Sequence, residues 1–116
     1  MENKRYDLED RTLIFSKNII KLVNKLSRNV VNLNISSQIV RSGTSVGANY
    51  REANASLGDK DFVMKAKICK KEAMETLYWL KLLRENNQNF VWEIDSLIDE
   101  CDQLVRIFSA IILKRS

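Results

Sequence analysis

The sequence QIVRSGTSVGANYREAN, residues 38–54, decides how the rest of the chain is interpreted. Polar residues recur in it at steps of three and four, which places them on one face of a helix with 3.6 residues per turn. A neighbouring row at similar spacing is mostly apolar. The polar row is Gln38, Arg41, Ser45, Asn49 and Glu52, and the apolar row is Ile35, Ile39, Ser42, Val46 and Ala53.

Small residues lie between the two rows, at Gly43, Gly47 and Ala48, and allow a neighbouring backbone to approach closely. Two glycines inside a helix each cost about 0.5–1 kcal/mol relative to alanine. A helix that carries this cost together with a long polar row is typical of a central, tightly packed position. The alternative is a loop around residues 43–47 that joins two shorter helices, and we expect the continuous helix.

The composition indicates a single helical domain. The chain has 116 residues, no proline and three glycines, which leaves few turns and favours long helices. Hydrophobic residues make up 45% of it, enough for a core and too many for a disordered chain. No apolar run approaches the ~18 residues of a transmembrane helix, and the charged N-terminus lacks an apolar signal core. We therefore expect a cytoplasmic protein that has no membrane partner.

Hydrophobic periodicity predicts four helices joined by short turns. In the third helix, apolar residues from Phe62 to Leu83 alternate at steps of four and three, as in a core seam. Short connections between helices favour antiparallel neighbours. The predicted fold class is therefore all-α, an antiparallel up-down-up-down four-helix bundle over residues 1–116, with helices at about residues 8–27, 35–55, 60–86 and 91–113.

Residues at the turns and in the seams carry more detailed predictions. Gly58 suits the C-terminal end of the second helix, and Ser56 or Asp59 is expected to cap the third. Cys69 and Cys101 fall in core seams. We therefore expect them to be small buried hydrophobes and not reactive thiols.

Charge is distributed unevenly along a chain whose net charge is +4. Residues 11–51 hold seven basic residues and no acidic one, and residues 85–105 hold six acidic residues and no basic one. We expect these charges to lie on different surfaces. A narrow basic stripe on the first helix is either a solvated face or a phosphate-binding ridge. The candidate nucleic-acid-binding residues are Lys17, Lys21, Lys25, Arg28, Lys67 and Lys70.

The third helix has a second, partly apolar face beside its core seam. A monomeric bundle needs one apolar stripe per helix, so a second stripe suggests contact between subunits. The basic first helix and the acidic fourth helix of neighbouring copies could add a head-to-tail contact, which closes into a ring. The expected oligomer interface comprises Met64, Ile68, Trp79 and Leu82.

Arg41 is the basic residue of the polar row. A buried arginine needs an acidic partner, because an unpaired buried charge costs several kcal/mol. Glu52, Glu72 or Glu75 can supply it. We expect a structural polar network that fixes the register of the helices, made of Gln38, Arg41, Ser45, Asn49, Glu52, Glu72 and Glu75.

Motifs typical of enzymes are largely absent. The sequence has no histidine, the usual general base at neutral pH. Residues 43–47 lack the lysine of a phosphate-binding loop. Glu72 and Glu75 lack the histidine partners of a di-iron bundle. We therefore expect no enzymatic activity, no catalytic residue, no metal site and no cofactor.

Four blocks carry a resemblance to a known family: Gln38-x-x-Arg41, residues 45–53 (SVGANYREA), Asp61-Phe62, and residues 71–80 (KEAMETLYWL). In order and spacing they resemble the bacterial four-helix-bundle family that includes proteins encoded in intervening sequences of 23S ribosomal RNA genes. Members are sometimes labelled S23 ribosomal proteins. The resemblance covers about residues 11–113.

The resemblance implies a four-helix bundle, and it implies homopentameric rings for some members. It carries over no catalytic residue. A more distant similarity connects the family with the accessory proteins of diversity-generating retroelements, which are basic pentamers that act with a reverse transcriptase and RNA. By that analogy, a reverse transcriptase is a further expected partner.

Two functions follow from these expectations. The first is a non-enzymatic, oligomeric protein that binds nucleic acid, RNA in particular, with basic helix faces that a ring would repeat. Its binding would depend on charge and shape, because Tyr50, Tyr78 and Trp92 are expected to be packed and not to stack on bases. The alternative is a homo-oligomeric scaffold in which the charge polarity serves only ring closure.

Overall fold

Four apolar stripes with helical spacing form four α-helices in the computed structural model, which describes residues 7–116. Helix α1 packs against α2 and α4, and α3 packs against the same two helices. Helices α1 and α3 therefore lie diagonally opposite each other in the bundle. The prediction of an all-α, up-down-up-down bundle is confirmed. The helices are α1 (Asp7–Lys25), α2 (Val30–Asn54), α3 (Asp59–Glu85) and α4 (Val91–Arg115), and a 3₁₀ turn, Gln88–Phe90, leads into α4.

The α2 helix begins five residues before the predicted start. Asn29 caps it, because the Asn29 side-chain oxygen accepts a hydrogen bond of 2.9 Å from the backbone N–H of Asn32. The first connection is therefore residues 26–29 and not the 28–34 left between the first two predicted helices. An asparagine that suits a turn also suits a helix N-cap, and the sequence alone did not separate the two roles.

The turn between α2 and α3 differs from the prediction. Gly58 is not at the C-terminal end of α2; it precedes α3 in an extended conformation, with φ of −169°. No side chain caps α3, so the prediction of a cap from Ser56 or Asp59 is wrong. The Asp59 carboxylate instead accepts a hydrogen bond of 3.0 Å from Nε of Arg115 at the end of α4.

The α2 helix is continuous through residues 43–47, so the loop alternative is excluded. The two glycines matter as predicted: a Cβ added to Gly43 would overlap the Ile19 side chain, and one added to Gly47 would lie 3.0 Å from the Thr12 hydroxyl. Ala48, which was also expected to allow close approach, is exposed. The Ser16 hydroxyl donates to the Gly43 carbonyl at 3.3 Å. Close approach of α1 to α2 therefore depends on these glycines.

The core lies along the axis of the bundle, and all four helices supply large side chains to it, such as Phe15, Ile39, Leu80 and Phe108. Cys69 and Cys101 are fully buried and free, as predicted. Burial raises the pKa of each thiol to about 12. Neither is therefore a thiolate near neutral pH, which agrees with a packing role.

The two connections at one end of the bundle are joined by buried asparagines. The side-chain amide of Asn32 donates to the Oδ1 atom of Asn87 at 3.0 Å, and the amide of Asn87 donates back to Oδ1 of Asn32 at 2.8 Å. The same two amides also donate to the backbone carbonyls of Ser27 and Leu83. Asn32 and Asn87 both fall between the predicted helices, so their pairing across the bundle was not predicted.

Candidate nucleic-acid interface

The predicted basic stripe lies on the outer face of α1 and on the connection that follows it. Its four members, Lys17, Lys21, Lys25 and Arg28, are all exposed. Lys25 is paired, with its Nζ atom 2.5 Å from Oε2 of Glu93 on α4. For Lys17, Lys21 and Arg28, no carboxylate in residues 8–116 lies within ion-pair distance.

Positive and negative segments meet inside one chain, because α1 and α4 are neighbours in the bundle. The Arg11 guanidinium donates to both carboxylate oxygens of Glu100, at 2.6 and 2.9 Å, and to Gln103 at 2.7 Å. Hydrogen bonding to Glu100 raises the pKa of Arg11. The expectation that the opposite charges lie on different surfaces is therefore wrong for Arg11 and Lys25, whose partners Glu100 and Glu93 are in the same chain.

Lys67 and Lys70 lie on a different side of the bundle from the α1 stripe. They belong to α3, which is diagonally opposite α1. Lys67 is exposed and Lys70 is half-buried. The six predicted binding residues therefore form two separate groups on one copy of the chain.

Arg41 connects α2 to α3 on the surface of the bundle and not in its interior. It is exposed, and it contacts Glu72 at 3.3 Å and also Glu75, two of its three expected partners. Nε1 of Trp79 donates to the same Glu75 carboxylate at 3.1 Å. Hydrogen bonds from Arg41 and Trp79 hold the pKa of Glu75 below its usual range.

The other members of the predicted polar network bond elsewhere. Ser45 and Asn49 donate to backbone carbonyls of their own helix, those of Arg41 and Ser45, at 2.6 and 2.8 Å. The Gln38 backbone carbonyl accepts from the Ser42 hydroxyl at 2.9 Å. Glu52 contacts Lys65 at 3.2 Å. The expected seven-residue network is therefore a short cluster around Arg41 plus separate local bonds.

The four residues of the predicted interface do not form one patch. Met64 and Leu82 are exposed, whereas Ile68 and Trp79 are half-buried. Met64 and Leu82 are also separated by five helical turns, about 27 Å at 1.5 Å per residue. The structure instead exposes Met74 and Tyr78 on α3, which the sequence analysis did not assign to this face.

Two of the three aromatic residues expected to be packed are exposed. Tyr78 is 59% exposed and Trp92 is 86% exposed. Tyr50 is half-buried, with its ring 5.7 Å from that of Phe108 in an edge contact. Tyr78 and Trp92 are spaced with polar residues on the outer faces of α3 and α4, and this spacing could have identified them as exposed.

These features define a class: a four-helix bundle with an exposed basic stripe on its first helix. Among residues 7–116, no helix is long and apolar enough to cross a membrane. The chain belongs to the family of 23S rRNA-intervening sequence proteins, whose profile matches residues 4–110. A comparison with curated proteins found no significant match.

A solved structure agrees with the family and the fold. The chain is similar to a protein of unknown function from the S23 ribosomal protein family of Bacteroides thetaiotaomicron, known from a crystal structure. The two are 35% identical over 90% of this chain and 96% of that one, with a TM-score of 0.78. This similarity supports the four-helix-bundle fold and indicates no biochemical role.

Proposed function

We propose that this protein is a non-enzymatic accessory protein that binds nucleic acid, RNA in particular, through the exposed basic residues of α1 and of the connection that follows it. The observation that carries the proposal is the contrast between paired and unpaired cations within residues 8–116. Arg11 and Lys25 contact carboxylates of α4, whereas Lys17, Lys21 and Arg28 face solvent. Exposed cations in a row attract a polyanion, because each phosphate contact releases a condensed counterion.

The protein acts as a homo-oligomer in this proposal, and the homopentamer implied by the resemblance is its expected form. Exposed Met64 on α3 supplies apolar area for a subunit contact. An oligomer repeats the α1 stripe, so that several weak phosphate contacts act together on one RNA. Lys67 and Lys70 lie on the opposite side and add a second basic group to each copy.

The test is RNA binding across a salt series with a charge-matched pair of variants. One variant changes Lys17, Lys21 and Arg28 to Glu. The control changes Lys60, Arg106 and Lys114 to Glu, which alters the net charge equally on other surfaces. The α1 variant is expected to bind at least ~10-fold more weakly and to lower the slope of log K against log salt by about 2–3, because each phosphate that is bound contributes about 0.7–0.9 to that slope.

The control variant separates a defined site from the net charge of the whole molecule. Equal losses in both variants would mean that binding follows net charge only, and the α1 site would be rejected. Absence of binding by the natural protein at low salt would reject RNA as the ligand. Light scattering on the same samples measures the oligomeric state.

A homo-oligomeric scaffold is the second candidate. Glu100 and Glu93 of α4 contact Arg11 and Lys25 of α1 within one copy, and in a scaffold the remaining carboxylates of α4 meet α1 of the next copy in the same way. In that case Lys17, Lys21 and Arg28 contact a neighbouring copy. Loss of the oligomer in the α1 variant, with the control variant intact, would favour the scaffold.

A further inference from the structure

An exposed aromatic ring on the outer face of α3 has lysines before and after it along the helix. Tyr78 is 59% exposed, and Lys71 and Lys81 lie seven residues before it and three after it, which places them on the same side of the helix. Lys67 continues the row. All three lysines are exposed, and no carboxylate in the described part of the chain lies within ion-pair distance of them. Glu85, seven residues after Tyr78, is an exposed carboxylate on the same side, so cations outnumber it three to one there.

The Tyr78 ring is supported by a fixed neighbour. It makes an edge contact with Trp79, with 5.2 Å between ring centres and 70° between ring planes. The Trp79 indole is held by Glu75, and Glu75 is held by Arg41 of α2. A ring positioned in advance loses less conformational entropy when it binds a ligand.

Apolar side chains complete the surface beside the ring. Met74 and Leu82, four residues before and after Tyr78, are 52% and 40% exposed. An apolar strip with cations beside it matches a single strand, which offers both flat base faces and phosphates. In a duplex the base faces are stacked inside, so a duplex offers this surface only its backbone.

We propose that Tyr78 is a stacking platform for an unpaired base of single-stranded RNA, with Lys71 and Lys81 contacting the phosphates on either side. This inference rests on the proposed function and specifies the RNA element that α3 recognises. Lys71 and Lys81 are ten residues apart, about 15 Å along the helix. That distance leaves room for an extended strand of a few nucleotides across the ring.

Charge distinguishes Tyr78 from the other exposed aromatic residue. Trp92 is more exposed, but it shares the outer face of α4 with Asp95 and Asp99, three and seven residues further on. Arg84 pairs with Asp95 at 2.6 Å, but Asp99 is exposed and has no cation within ion-pair distance in the described part of the chain. Because this face lacks free cations and keeps one free carboxylate, Trp92 is unsuited to a nucleic-acid strand. It therefore provides the matched control for a change at Tyr78.

The test compares binding of an unstructured single-stranded oligouridine and an RNA duplex of equal length at one salt concentration. Tyr78→Ala is expected to weaken single-strand binding by about 10-fold or more and to leave duplex binding within about 2-fold, because stacking on one base accounts for that much. Tyr78→Phe keeps the π face and is expected to bind as the natural protein does. Trp92→Ala is expected to have no effect on either RNA.

The outcomes separate this inference from the proposed function. If the natural protein binds both RNAs and Tyr78→Ala binds the single strand equally well, the platform is rejected and charge-directed binding remains. If the natural protein binds neither RNA at low salt, the proposed function fails. If Tyr78→Ala changes the oligomeric state by light scattering, the α3 face is a subunit contact and the platform is rejected.

Discussion

The centre of α2 and the cleft between α1 and α4 hold helices together in different ways. At the centre of α2, small residues let the neighbouring helices approach closely. Gly43 faces Ile19 of α1, and the Ser42 hydroxyl meets the Thr76 hydroxyl of α3. Between α1 and α4 lies a cleft of about 490 Å³, crossed by the Arg11–Glu100 pair. Close packing at the centre of α2 cannot accommodate added volume, whereas the open, charged contact between α1 and α4 tolerates change.

The largest expected effect comes from a substitution in the close-packed region at the centre of α2. Gly43→Val is expected to lower the free energy of unfolding by about 2–3 kcal/mol, because the added atoms overlap Ile19 in a filled core. Denaturant unfolding measures it. Ala48→Val is the control, since Ala48 lies on the same helix but is exposed, and its expected effect is below about 0.5 kcal/mol. Equal effects at the two positions would contradict the packing argument.

A second change examines the hydroxyl contact between α2 and α3. The Thr76 hydroxyl lies 2.7 Å from that of Ser42, and both side chains are fully buried. Thr76→Val keeps the shape and removes the hydrogen bond, so we expect a loss of about 1 kcal/mol in unfolding free energy. Ser109→Ala, which removes a hydroxyl bonded only to its own helix, is expected to cost less. A larger loss at Ser109 would argue against an interhelical role for Thr76.

The third change acts on the cleft between α1 and α4. Arg11→Met is expected to cost no more than about 1 kcal/mol, because both partners of the Arg11–Glu100 pair are about one-third exposed. The difference from the natural protein should shrink as salt is added. A cost equal to that of Gly43→Val would remove the distinction between the two regions.

The smallest expected effect concerns pH at the surface pair of α2 and α3. The pKa of Glu75 is held below its ordinary value of about 4.3, chiefly by Arg41. Its stabilising contribution is therefore complete above that value and is lost as pH falls through the lowered pKa. We expect Glu75→Gln to reduce the change in Tm between pH 6 and pH 3. An identical pH profile in the variant would show that this carboxylate contributes nothing measurable.

The fold was largely predictable because helical periodicity is local information. The spacing of apolar residues along α2 and α3 identified the buried face of each helix without any knowledge of the helices packed against it. Helix ends were less predictable: Asn29 caps α2 and Gly58 precedes α3 without a cap. Each end depends on a few competing hydrogen bonds, and several residue types satisfy them about equally well.

The candidate site was only partly predictable. The sequence placed the α1 stripe opposite the apolar face, and its four members are exposed. It did not show that Arg11 and Lys25 face carboxylates of α4, because those partners lie far away along the chain. Tyr78 was expected to be packed and is exposed, and Arg41 meets its expected partners Glu72 and Glu75 on the surface of the bundle.

The sequence by itself determined four helices, the central position of α2 and the burial of both cysteines, since each follows from spacing along one segment. The tertiary structure alone decided which charges are neutralised, where Arg41 binds, and which aromatic rings remain open to solvent. Periodicity defines the direction in which a side chain leaves its helix. Which helix or solvent meets that side chain depends on how all four helices are arranged around the core.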